Sequence, residues 1–353
     1  MKNSLSKSSA AGLLVVAMLS VASPSRAAEA EPAVAPAHDA RIILLGTGGG
    51  PLASAGRAGI ATLLIVNGTS YLFDAGIGTD RQLAKAGFEV TDLSAIFITH
   101  QHLDHTAGIP SLIMTDWFAK ANQADPPPLV LYGPPATQLL LEDSLQMLST
   151  SERIFRAGIP MLKPDTGMFA AHDIDHDGLV YRDANISVRA AENTHFRHQS
   201  EGPAGRDISF SYRVDTPYGA IVFTGDTGKS DAVTALAKGA DVLVSEVRLP
   251  FVDASGQILT VPSNLVAGGA HAEAYRAHME HEHLAPEEVG QMAHDAGVGL
   301  VILSHFAGGP ETTVSDDFTA GVASRFAGPV IAGQDLMEYD LFAKPDASAE
   351  KPD

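Results

Sequence analysis

The stretch Thr99-His100-Gln101-His102-Leu103-Asp104-His105 decides how this chain is read. It follows directly on the apolar run Ala95–Ile98, whose length and β-branched content predict a buried strand. In an extended segment alternate side chains share a side, so His100 and His102 project together. Asp104 and His105 then reach a second point a short step further on. This alternation of imidazole and carboxylate groups suits a metal site far better than it suits a solvated histidine-rich loop. Three other apolar runs end in the same chemistry: Glu192-Asn193-Thr194-His195, Phe223-Thr224-Gly225-Asp226 and Leu303-Ser304-His305. Ligands and catalytic groups of α/β folds gather at strand ends, so these endings belong to one site. Taken singly, each also fits a structural role, as Asp226 does in a Gly-Asp turn. His198, three residues on, competes with His195; His195 is preferred and the choice stays open.

Composition narrows the chemistry. The 353 residues include 14 His and no Cys. Disulfides, a Cys nucleophile and Cys-ligated zinc are therefore excluded, and any transition metal must use nitrogen or oxygen ligands. Such ligands suit zinc, and also manganese or iron. The net charge of −19 argues against a nucleic-acid partner, whose binding rests on Lys and Arg against phosphate. Lys2 and Lys7, the apolar stretch Ala10–Ala22 and the small residues around Ala27-Ala28 form a signal-peptide pattern over residues 1–28. A periplasmic or secreted location is expected, with no membrane contact once that segment is removed.

Residues 29–40 read as a linker, 41–343 as one domain and 344–353 as a disordered tail. Strands are expected near 41–45, 61–66, 71–73, 95–98, 129–132, 186–189, 208–214, 220–223, 241–244 and 299–303. Helices are expected at Thr79–Ala86, Thr106–Ala121, Pro134–Ser149, Ser230–Lys238, Pro286–Ala296 and Ser315–Phe326. Several strands are apolar on consecutive positions, which implies cover on both faces and an α/β or α+β fold with helices outside. Residues 150–185 and 249–282 read as insertions. Gly46-Thr47-Gly48-Gly49-Gly50 lacks the Gly-Lys-Ser/Thr end of a phosphate loop. It reads as a tight turn that brings backbone to the metal site. Trp117 suits a pocket wall with Phe118 or core packing equally.

The segment Leu44–His105 resembles the metallo-β-lactamase fold superfamily through His-x-His-x-Asp-His at 100–105, and the likeness extends from about Arg41 to Leu341. Within it the chain looks most like the ribonuclease Z-like branch and its secreted arylsulfatase-like members. The marks are Leu45–Gly50, Leu72–Gly76, Phe223–Gly228, Asp241–Glu246 and His283–Glu288. The resemblance implies a four-layer αββα sandwich with two Zn2+ ions. It assigns His100, His102 and His195 to the first ion, Asp104, His105 and His305 to the second, and Asp226 to the bridge. Asp104 is then also expected to orient a bound hydroxide, His283 to act as general acid, and Glu246 to orient His283. Ser245 stands where the branch has a His, and His278 or His281 compete with His283. The expected function is an exported binuclear zinc hydrolase of small sulfate esters or phosphodiesters, arylsulfatase-like. A β-lactamase or lactonase type of hydrolase and a non-catalytic periplasmic metal-binding protein are the alternatives. Expected partners are a small-molecule ester and a second copy in a homodimer, with no nucleic acid.

Overall fold

A strand buried on both faces sends alternate side chains into two different cores. The computed structural model, which describes residues 40–50, 54–196, 201–202, 205–248, 251–252, 258–259, 270–307 and 315–341, shows this along its central strands. The signal segment, nearly all of the linker, the tail and His198 lie outside the described residues. One sheet runs in the order β18 (Met337–Asp340), β1 (Ala40–Gly46), β2 (Ala61–Val66), β3 (Thr69–Phe73), β4 (Leu93–Phe97), β5 (Leu129–Gly133), β6 (Phe169–Asp173). The other runs β17 (Val330–Ala332), β16 (Leu300–Ala307), β13 (Val242–Arg248), β12 (Gly219–Phe223), β11 (Phe210–Thr216), β8 (Ser187–Glu192), β7 (Gly178–Arg182). Each sheet is parallel on one side and antiparallel on the other. Two short ribbons, β9 (Glu201–Gly202) with β10 (Gly205–Arg206) and β14 (Phe251–Val252) with β15 (Ile258–Leu259), complete the strands described.

Three apolar cores separate four layers. Ile42, Leu44, Phe73 and Phe97 meet Tyr212, Phe223, Val244 and Ile302 between the sheets. Their strand neighbours Ile43, Leu45, Leu72 and Ile96 face outward. Those outward residues pack on α1 (Thr79–Lys85), α3 (Ile109–Lys120) and α4 (Thr137–Gly158) through Leu83, Ile109, Leu112 and Leu141. On the other side Val222, Leu243 and Val301 meet α5 (Asp231–Leu236), α7 (Pro286–Ala296) and α8 (Ser315–Ala323). The architecture is the αββα sandwich that the resemblance implies. The remaining helices, α2 (Leu103–Thr106) and α6 (Ala270–His281), sit at the strand ends, where the site forms.

Several expectations change. The expected helix Thr106–Ala121 is α3, which begins only after Gly108, while Thr106 ends the short α2. A Cβ on Gly108 would lie 2.4 Å from the Gly76 carbonyl, so the chain turns there against the loop after β3. The helix expected at Pro134–Ser149 continues to Gly158, and the rest of 150–185 supplies β6 and β7 rather than an insertion. Both are edge strands with mostly half-exposed side chains, so they lack the apolar run that marks a buried strand. Trp117 is core: it packs with Ala121, Leu162 and Met168, and its Nε1 donates to the Lys163 carbonyl at 3.0 Å. Phe118 is exposed and takes no part in the site.

Phe73 stacks on Phe97 at 5.0 Å and on Phe223 at 4.2 Å, tying the two sheets just beneath the site. Phe73→Ala removes a buried ring and is expected to cost about 3–5 kcal/mol in urea unfolding. A loss under 1 kcal/mol would mean that the inter-sheet core is not organised around this ring.

Candidate metal centre

Loops from both sheets converge at one edge of the sandwich. His100 and His102 follow β4, with Asp104 and His105 in α2. His195 follows β8 and Asp226 follows β12. Glu246 and His305 lie inside β13 and β16, where the register of the pair shifts between Ser245 and Val247. A bulge re-aims side chains that regular pairing would send elsewhere. His305 sits at φ 44°, a left-handed conformation that costs energy in a residue with a Cβ.

Asp226 Oδ2 is the hub. It lies 3.4 Å from His105 Nε2, 3.3 Å from His305 Nε2 and 3.9 Å from both His100 Nε2 and His195 Nε2. Two donor groups share it: His100, His102 and His195 on one side, and Asp104, His105 and His305 on the other. A further pair faces the same carboxylate. His283 Nδ1 lies 2.8 Å from Glu246 Oε2 and 3.9 Å from Asp226 Oδ2. The structure thus brings together every residue expected at the centre, and it leaves His281 outside these groups.

Electrostatics differ between the halves. Burial, reinforced by neighbouring imidazoles, holds His100 and His195 well below the usual histidine range, so both are neutral lone-pair donors. His305 and His105 are pushed up, because the nearby carboxylates outweigh burial. Burial works against ionisation of Asp226, yet the imidazoles of His305, His105 and His283 hold it well below the usual carboxylate range. Burial also opposes protonation of His283, but Glu246 and Asp226 prevail and push it up to about 9.

His100 Nε2, His105 Nε2 and Asp226 Oδ1 are buried without a hydrogen-bond partner. Leaving one such group unpaired costs about 1–3 kcal/mol, and here all three belong to the donor groups gathered on Asp226. A nitrogen and oxygen donor set of this kind fits divalent metal ions. The outer partners are also in place: His195 Nδ1 bonds the Glu282 carbonyl at 2.9 Å, and His100 Nδ1 lies 3.1 Å from Thr99 Oγ1. Hydrogen-bonding partners of this kind, here a backbone carbonyl and a hydroxyl, orient ligand imidazoles.

Asp74 is the functional residue that sequence reasoning missed. It lies within the quoted stretch Leu72–Gly76, at φ 58°, and its Oδ2 lies 2.9 Å from His105 Nδ1. Its Oδ1 accepts from the Thr99 backbone at 2.8 Å. A single carboxylate after a strand carried no spacing signal; only the fold places it behind His105. The glycine turn behaves as expected. Gly50 N donates to Asp104 Oδ2 at 2.7 Å, and a Cβ there would lie 2.1 Å from Asp104 Cβ.

A family profile described as "Beta-lactamase superfamily domain" matches residues 69–306. The chain belongs to the beta-lactamase superfamily. Together with the donor groups at its strand ends, this makes it a metal-dependent hydrolase of that fold. Ribonuclease Z of Mycolicibacterium gilvum is 29% identical over 313 residues, covering 85% of this chain and 96% of that protein. Ribonuclease Z of Mycobacterium bovis is 27% identical over 312 residues, covering 85% and 98%. Among solved structures, the metallo-beta-lactamase fold protein YhfI of Bacillus subtilis matches with a TM-score of 0.61 at 18% identity, covering 86% of this chain and 99% of its own. The short form of human tRNase Z matches with 0.58 at 21% identity, covering 85% and 99%. The superfamily name is not an activity: YhfI is named only by its fold, and the curated relatives and the human structure carry ribonuclease names. They overturn the expectation, drawn from net charge, that nucleic acid is not a partner. Net charge averages over the whole surface and does not report the local field where a substrate docks.

Asp226→Ala is expected to abolish binding at both donor groups, read as metal per chain by elemental analysis. Gly50→Ala displaces Asp104 and is expected to lower metal content at the Asp104 side while circular dichroism stays unchanged. Full metal content in Gly50→Ala would show that the turn does not set the position of Asp104.

Proposed function

We propose that this chain is a phosphodiesterase working with two divalent metal ions, zinc first among them. The observation that carries this reading is the sharing of Asp226 by two donor groups, with the His283–Glu246 pair on the same carboxylate. His100, His102 and His195 would hold one ion, Asp104, His105 and His305 the other, and Asp226 both. Ions bound there supply Lewis-acid charge and acidify an attacking water.

The chain's own groups do the rest. Asp104, steadied by the Gly50 N–H, orients the attacking water. His283 keeps a proton at neutral pH and delivers it to the leaving oxygen, while Glu246 holds the ring and offsets its charge. Phosphodiesters are favoured over the sulfate esters first expected, because the ribonuclease Z relatives cover most of the chain. RNA is therefore a substrate to test beside small diesters. The pattern of residues 1–28 supports export, checked by N-terminal sequencing of the mature protein.

A panel of bis(p-nitrophenyl) phosphate, a precursor transfer RNA and p-nitrophenyl sulfate tests the reading. Diester turnover that disappears on chelation and returns with zinc is expected. Turnover of the sulfate alone would overturn the phosphodiester assignment, and bound metal without any turnover would indicate a binding protein.

His283→Ala is expected to slow diesters with poor leaving groups by about 10²–10⁴-fold, the usual worth of a general acid, and nitrophenyl diesters less. A general acid works only while protonated. Activity on poor leaving groups should therefore fall as pH rises through the His283 pKa, and that alkaline limb should vanish in the variant. Equal slowing of good and poor leaving groups would remove His283 from the acid role.

A further inference from the structure

The segment His278–His283 brings a second imidazole–carboxylate pair to the centre. His278 Nδ1 lies 2.7 Å from Oε2 of Glu282, four residues further on and just past the end of α6. The Glu282 side chain is only 7% exposed, whereas that of His278 is 30% exposed. The His278 ring stands 5.1 Å from His283, 5.4 Å from His195 and 6.3 Å from His102. His283 itself stands 4.8 Å from His195 and 6.1 Å from His305, between the two donor groups. His278 is therefore one ring further out, on the His102 and His195 side.

This placement is built. Gly228 lets the end of α6 approach so closely that a Cβ would lie 2.0 Å from the His281 carbonyl. Arg248 N donates to the Leu284 carbonyl at 2.9 Å, and Arg248 Nε to that of His283 at 3.3 Å. The Glu282 carbonyl meanwhile accepts from His195 Nδ1. A histidine that merely faces solvent needs no buried carboxylate on one ring nitrogen. With Nδ1 held by Glu282, Nε2 is the nitrogen left for a ligand.

The geometry points to His278 as a substrate-contacting residue that hydrogen-bonds the leaving group beyond the scissile bond, with Glu282 as its positioning residue. The argument is adjacency. His283 serves the leaving oxygen, and the next ring outward meets what that oxygen carries. A leaving group bearing hydroxyls, such as a nucleoside, gains this contact, and a nitrophenolate lacks its donors. The inference rests on the phosphodiesterase reading.

The test compares a dinucleoside monophosphate with bis(p-nitrophenyl) phosphate on the zinc-loaded wild type, His278→Ala, His278→Gln and Glu282→Gln. The expected result for His278→Ala is a shift of about two- to tenfold in the ratio of kcat/KM against the dinucleoside, carried by KM, the net worth of one hydrogen bond. Metal per chain should match the wild type, and His278→Gln should recover part of the shift. Glu282→Gln should move the ratio in the same direction by less. Loss of metal in His278→Ala, or equal change on both substrates, would make His278 a support for His195 and overturn the proposal. No change on either substrate would also overturn it. A wild type that cleaves neither diester sinks the phosphodiesterase reading itself, a result distinct from these.

Discussion

A carboxylate surrounded by imidazoles in a buried pocket sets the terms for this protein. Asp226 is almost wholly buried, and five histidine rings approach its Oδ2 within 3.9 Å. Burial alone would neutralise the carboxyl group. The neighbouring rings reverse this, and His100 Nε2, His105 Nε2 and Asp226 Oδ1 are left buried without a hydrogen-bond partner. Divalent cations held by these residues would resolve that conflict, taking up the free ring nitrogens, balancing the carboxylates and replacing the protons on His105 and His305. The need for metal is thus written into the electrostatics of the pocket as well as into its ligand types.

Holding such a pocket open demands a rigid frame. Two seven-stranded sheets, cored on both faces, present their strand ends along one edge. The rings of Phe73, Phe97 and Phe223 stack across the inter-sheet space. The frame fixes the backbone, and local irregularities then aim the side chains. These are the bulge between β13 and β16, the positive φ of Asp74 and His305, and the glycine turn against Asp104. Each costs something locally and is sustained by surrounding packing, as expected where strain sits at a working site.

Much of the site was legible because metal chemistry restricts residue types. His100, His102, Asp104 and His105 crowd into one strand ending, and no other chemistry needs that alternation. His195, Asp226 and His305 were legible more weakly, as strand endings of the right type. Asp74 was not legible, because its role depends on β3 lying beside β4. The edge strands β6 and β7 were equally hidden, since their half-exposed side chains carry no apolar run. Net charge misled about nucleic acid for a related reason: it is a sum, and docking depends on where the charges lie.

By itself the sequence determined the ligand chemistry, strands covered on both faces with helices outside, and the exclusion of Cys-based sites, while the αββα layering came from the family resemblance. Local spacing and two-sided apolar strands are sufficient for these, because each is a short-range property. Only the tertiary structure decided how closely the distant residues gather on Asp226, which carboxylate stands behind His105, and where His278 sits relative to His283. Those relations join groups far apart in the chain, as the 201 residues between Asp104 and His305 show. Nothing in local propensity specifies such separations; the packing of the two sheets does.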